Sequence, residues 1–274
     1  MTRRRSPARV VTTVAGMAVA AVLALCGYAV VSGGGTDVLT GPGPLAPERP
    51  ATASSAAASP TTASPTTGAA ASASAAASAS AAAEGRDAGV PTAAEARALL
   101  AGLPVKGSAP ATGYDRVARF GEAWRDVDGN GCGTRDDILA RDLDDVVRRG
   151  SCTVLSGTLD DPYTGTRIAF QRGPETSARV QIDHVVPLLD AWRTGAQGLT
   201  KEARVRLAND PLNLVAVDGP TNQRKGAGDA ATWLPPSKAY RCVYASRQVA
   251  VKAAYGLWVL PAEGAALDRI LAAC

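Results

Sequence analysis

The longest apolar run in the chain comes first. Residues 10–31 (VVTTVAGMAVAAVLALCGYAVV) carry no charge and follow Arg3, Arg4, Arg5 and Arg9. A basic start and a 22-residue apolar run describe an export signal or an N-terminal membrane anchor; about 20 such residues span a bilayer. Either way, the arginines on the leading side predict that the rest of the chain lies outside the membrane. Residues 51–83 contain only Ala, Ser, Thr, Pro and Gly. With no aromatic or branched aliphatic side chain, this stretch cannot build a core, and it is expected to be a disordered spacer within a linker over 32–89. The folded part is then 90–274, long enough for one medium domain.

Within that part the hydrophobic period changes repeatedly. Residues 92–101 read as a helix, with Thr92 as cap and Glu95 three positions on. Val117, Phe120 and Trp124 sit at helical spacing in 114–124, and Ile138, Leu139, Leu143, Val146 and Val147 predict a helix over 135–148. Strands are expected at 152–159 and 166–171, joined by the turn Asp161-Pro162-Tyr163-Thr164-Gly165. Further strands follow at 179–186 and 213–218, with short helices at 188–194 and 200–208 between them. Gly219-Pro220 breaks the last strand and leads into a polar segment, 221–229. Helices over 238–255 and 262–272 complete an α+β order.

Charge divides the folded part. Residues 90–162 carry a net −3 and residues 163–274 a net +5; a basic half suits a polyanionic partner. Cys26 lies in the export segment, which leaves Cys132, Cys152, Cys242 and Cys274. An even count in an exported domain predicts two disulfides rather than free buried thiols. Of the three pairings, Cys132–Cys152 and Cys242–Cys274 are favoured, because each pair flanks one predicted helical segment. No CxxC pair supports a zinc site.

The chain has one histidine, His184. A lone histidine says little, but Asp183 precedes it at the end of an apolar strand, where adjacent side chains meet a rim. Asn213 opens the next strand, and Asn222 lies nine residues further on, with Lys225 and Asp229 beyond.

The runs IDHVVPLLDAW and ANDPLNLVAVDGPTNQRKGAGDAATWLPP resemble the HNH (His-Me finger) endonucleases. The likeness is to an exported actinobacterial branch related to the C-terminal nuclease domain of GmrSD-type restriction enzymes. It extends over about 113–274 and takes in DVDGNGCGTRDDIL, SGTLDDPYTG and RCVYASRQVAVKAAYGL. The resemblance implies a ββα-metal core, here with additional helices, a β-hairpin and disulfides. It implies that His184 is the general base, that Asp183 and Asn222 hold a divalent cation, and that Asn213 fixes the loop orienting the histidine. Asn222 stands where the name would have a second histidine, so ligation must come from oxygen, which favours Mg2+ with Mn2+ as substitute. Arg224 and Lys225 would grip backbone phosphates. The implied activity is metal-dependent hydrolysis of DNA, RNA being the other candidate substrate, by a monomer that is secreted or tethered through an uncleaved N-terminal segment. An unperturbed imidazole would lose its proton-accepting form below pH about 6.

One motif stands apart. Asp126, Asp128, Asn130 and Asp137 fit a twelve-residue calcium loop with Gly131 at its sharp turn, which would hold a structural Ca2+. The same residues also suit a turn plus a helix start, with Thr134 as cap and Asp137 in the first turn. A rival function is therefore a non-catalytic envelope module that binds calcium or a cell-wall polymer.

Overall fold

The computed structural model describes residues 80–274. The expected export segment and most of the expected spacer lie outside the described residues. Among the described residues, no helix is long and apolar enough to cross a membrane. The chain is already helical over 80–87, so ordered structure starts ahead of residue 90. Arg86 is buried there and donates to the Asp160 carbonyl, while Asp87 pairs with the fully buried Arg247 at 3.0 Å.

Helix α1 (Ala93–Gly102) starts where the sequence places it. Thr92 Oγ1 accepts from Glu95 N–H, and the Glu95 carboxylate accepts from Thr92 N–H, closing a capping box. Helix α2 (Arg116–Phe120) is shorter than the expected 114–124. Asp115 caps it by accepting from Ala118 N–H, and Gly121 ends it at φ +82°. A side chain at Gly121 would need a left-handed backbone and would press on Val205.

The helix expected over 135–148 is half helix and half strand. Helix α3 (Thr134–Asp142) passes directly into β1 (Leu143–Arg149). Leu143 and Val146 face the core together because the register of β1 shifts, with Asp145 at φ +51°. That bulge imitates helical spacing; Val147, which the helix would bury, is exposed. Strands β1, β2 (Thr153–Asp160) and β3 (Arg167–Gln171) form one antiparallel sheet in that order.

A second sheet contains β4 (Val180–His184) and β5 (Leu214–Asp218), antiparallel, with His184 opposite Leu214 and Asp183 opposite Val215. Between them run α4 (Leu188–Arg193) and α5 (Lys201–Asn209). Both faces of this sheet are covered, which is why LVAV in β5 is continuously apolar. Val180, Ile182, Leu214 and Ala216 pack with α3 and the first sheet; Val215 and Val217 pack with Tyr163, Tyr240 and Tyr244. Helix α6 (Gly219–Lys225) leaves β5 at once, capped by Asp218. At Gly219 a Cβ would lie 2.1 Å from the Ala178 carbonyl oxygen, so only glycine permits this turn. Helices α7 (Arg241–Ala254) and α8 (Pro261–Ala272) pack with α1.

Both favoured disulfides are present. Cys132–Cys152 joins the loop before α3 to the start of β2, and Cys242–Cys274 joins α7 to the segment after α8. In the entropy model, closing a loop of 20 residues is worth roughly 3 kcal/mol.

Candidate active site

His184 closes β4 with its side chain buried. Its Nε2 lies 2.9 Å from the Ala208 carbonyl oxygen, near the end of α5. A carbonyl can only accept, so Nε2 carries the proton and Nδ1 keeps the lone pair. The Trp124 ring lies nearly parallel to the imidazole, 6.3 Å between centroids, and Trp124 itself holds a left-handed backbone at φ +64°. Burial lowers the imidazole pKa to about 3; the bond to Ala208 opposes this, and the charges of Arg116 and Lys225 add to the lowering. The ring is therefore a neutral acceptor well below pH 6, and the acid limit expected from an unperturbed histidine does not hold for the free protein.

Asn213 holds the chain immediately after His184. Its Oδ1 accepts from Val186 N–H at 2.8 Å, and its Nδ2 donates to the carbonyls of Val186 and Leu207. The Asn213 carbonyl also accepts from Val185 N–H. One fully buried amide thus ties the exit of β4 to the residue beside Ala208, the acceptor of the histidine.

Asp183 points to the other face of β4. Its carboxylate accepts from Tyr163 Oη at 2.5 Å and pairs with Lys225 Nζ at 2.8 Å. Burial, and after it the Asp183 charge, raise the Tyr163 pKa well above its ordinary value, so the phenol remains a donor. Lys225 Nζ also donates to the His184 carbonyl at 2.7 Å. Burial lowers the lysine pKa and Asp183 acts against that lowering.

Asn222, on α6, donates from Nδ2 to Gln181 Oε1 at 3.0 Å, which leaves its Oδ1 as an acceptor. Asp183, His184 and Asn222 line one cleft of about 260 Å3, together with Tyr114, Arg116 and Leu188. Among the described residues, no group of three or more His, Cys, Asp or Glu side chains is arranged to hold a metal ion. A cation here would draw on two protein oxygens, from Asp183 and Asn222, with water and a phosphate completing its shell. Oxygen donors of this kind suit a hard divalent cation, which would share the Asp183 carboxylate with the bonds it already accepts from Lys225 and Tyr163.

Asp183, His184, Asn213 and Asn222 come together. Lys225 does not present itself to a phosphate: its side chain is wholly buried and its ammonium is committed to Asp183 and the His184 carbonyl. Arg224 is exposed on α6 and, among the described residues, its bond is to Thr221 Oγ1. Trp124 and Tyr163 had no motif to mark them.

The loop of Asp126, Asp128, Asn130 and Asp137 is closed by its own hydrogen bonds. Asp126 accepts from Gly129 and Gly131 N–H, and the Asn130 amide donates to both Asp128 and Asp137. Gly133, not Thr134, is the N-cap of α3; the Thr134 hydroxyl instead donates to the Arg125 carbonyl. Asp137 does lie in the first turn.

Residues 133–270 match the family described as GmrSD restriction endonucleases, C-terminal domain. The chain belongs to this family. The match includes β4, β5 and α6, and so the whole Asp183, His184, Asn213 and Asn222 set. A relative from Arthroderma benhamiae, described as an uncharacterized secreted protein, is 38% identical over 187 residues, covering 68% of this chain and 87% of that protein. No solved structure matches the chain. Membership of the GmrSD C-terminal family points to a nuclease.

Proposed function

We propose that the protein is an exported, metal-dependent endonuclease that hydrolyses phosphodiester bonds of DNA, and of RNA as the alternative substrate, with low sequence specificity. The observation that carries this reading is the tautomer imposed on His184: with Nε2 committed to Ala208, Nδ1 is a neutral proton acceptor on a residue that lines the cleft. The β4–β5–α6 unit serves as the ββα-metal core.

In this reading His184 Nδ1 takes a proton from the attacking water. Asn213 keeps the imidazole in register by fixing Val186 on one side and Leu207 on the other. Asp183 and Asn222 are the residues that would hold Mg2+, or Mn2+ in its place. Such an ion neutralises the charge that develops on the phosphate. Tyr163 and Lys225 hold the Asp183 carboxylate in place. Arg224 contacts the phosphate backbone, a contact that gives affinity without sequence readout.

The secreted relative, the two disulfides and the Arg-rich start all support an extracellular protein, either free as a monomer or tethered by residues 1–31. The calcium reading of the 126–137 loop rests on oxygens that now accept bonds from the loop itself, and only a calcium-dependent rise in melting temperature would support it.

The test is cleavage of single- and double-stranded DNA and RNA by the purified protein with Mg2+. His184→Ala, assayed well below its melting temperature because the buried ring also supports the fold, should lose about 10²–10⁴-fold in rate, and chelator should abolish wild-type cleavage. A His184→Ala protein as fast as wild type rejects the assignment and leaves the binding module in its place.

A further inference from the structure

With Lys225 withdrawn from the cleft, its charge balance changes. Among the described residues that line it, Arg116 is the one Lys or Arg. Its guanidinium has no carboxylate partner and makes no hydrogen bond among the described residues, and the residue is exposed. Arg116 shares this cleft with His184, and both also line the adjoining hollow beside Phe120 and Trp124.

Arg116 also sits on a fixed support. It is the first residue of α2, whose N-terminus is capped by Asp115. Phe120 at the other end is buried against Trp192 on α4, and Arg204 of α5 donates to the Arg119 carbonyl at 3.0 Å. The segment lies outside residues 133–270, so the family match assigns it no role.

Resting on the nuclease reading above, we propose that Arg116 is the phosphate-binding residue of the cleft, gripping non-bridging oxygens of a phosphodiester bound beside His184. A planar guanidinium meets two phosphate oxygens at once, which an ammonium cannot do. An unpartnered arginine on a docked helix needs no rearrangement to do so. The contact binds the backbone of any sequence, in agreement with the low specificity proposed.

The experiment compares full-length wild type, Arg116→Gln and Arg116→Lys by two readouts. The first is binding of a short fluorescein-labelled duplex of scrambled sequence, by anisotropy in chelator across a salt series. The second is cleavage with Mg2+. Arg116→Gln should bind about 10-fold or more weakly, and its log–log salt slope should shrink by about one. Arg116→Lys should recover the slope but only part of the affinity. Melting temperature should move little, because the residue is exposed and its guanidinium makes no hydrogen bond or ion pair among the described residues. Equal binding and equal slope for Arg116→Gln would overturn the proposal, and so would a wild type that does not bind the duplex. A wild type that binds without cleaving would instead remove the nuclease reading, and the binding arm would still judge Arg116.

Discussion

The ammonium of Lys225 lies 2.8 Å from the Asp183 carboxylate, with the lysine side chain wholly out of solvent and the aspartate nearly so. Removing one partner of such a pair strands a buried charge, which typically costs about 3–5 kcal/mol. Lys225→Met should therefore lower the melting temperature sharply, and adding Asp183→Asn should recover much of the loss. A lysine that served only to touch phosphate would weaken substrate binding and leave folding unchanged. The same logic makes Asp183→Ala a poor probe of metal binding alone, since it also strands Lys225.

Asn213 satisfies three backbone groups at once. Asn213→Ala should destabilise the fold by about 1–3 kcal/mol through the unpaired groups left behind. Its activity should fall further than stability explains, because the chain on both sides of His184 loses its common tie. Rates measured well below the variant's melting temperature separate the two effects.

Gly219 is irreplaceable on steric grounds. In Gly219→Ala the new methyl would overlap the Ala178 carbonyl, and overpacking of this kind costs about 1–3 kcal/mol. The turn must open to relieve it, which shifts α6 and with it Asn222. Both melting temperature and cleavage rate should drop, whereas Gly198→Ala, which meets open space, should change neither.

Behind the cleft, Lys252 bridges Asp190 at 3.1 Å and Glu263 at 2.7 Å, all three buried. Burial pushes the Glu263 pKa up to about 7, against the pull of Lys252. A folded pKa above the unfolded one gives stability that is complete below the unfolded value and lost as pH rises through about 7. Glu263→Gln cannot ionise and escapes that loss. Its melting temperature should gain on wild type between pH 5 and pH 8, by no more than about 3 kcal/mol in stability. Parallel pH dependences for the two proteins would contradict this.

The placement of the four candidate site residues was more legible in the sequence than the fold was. Asp183-His184 at the end of an apolar run, an Asn opening the next strand and a second Asn beyond a Gly-Pro break are local signals, and the structure brings those four residues together. Capping at Thr92 and Glu95 was equally local. The failures were those that local periodicity cannot resolve. A bulge in β1 placed Leu143 and Val146 on one side, as a helix would. The partner of Lys225 lies 42 positions away in sequence, and nothing near Lys225 announces it. Tyr163 reads as the middle of a turn, although its hydroxyl bonds Asp183 on the face of the second sheet that carries Val215 and Val217. Arg116 belongs to a segment whose helix is five residues long.

Trp124 lies nearly parallel to the imidazole of His184, which gives the protein a built-in optical reporter. An indole's emission responds to the ring against it, so whatever displaces or polarises His184 should alter the fluorescence of this tryptophan without any added dye. Trp192, Trp233 and Trp258 stand against other partners, and a Trp124→Phe protein would supply their background. The difference between the two spectra would then follow occupancy of the cleft in real time, before any bond is cut.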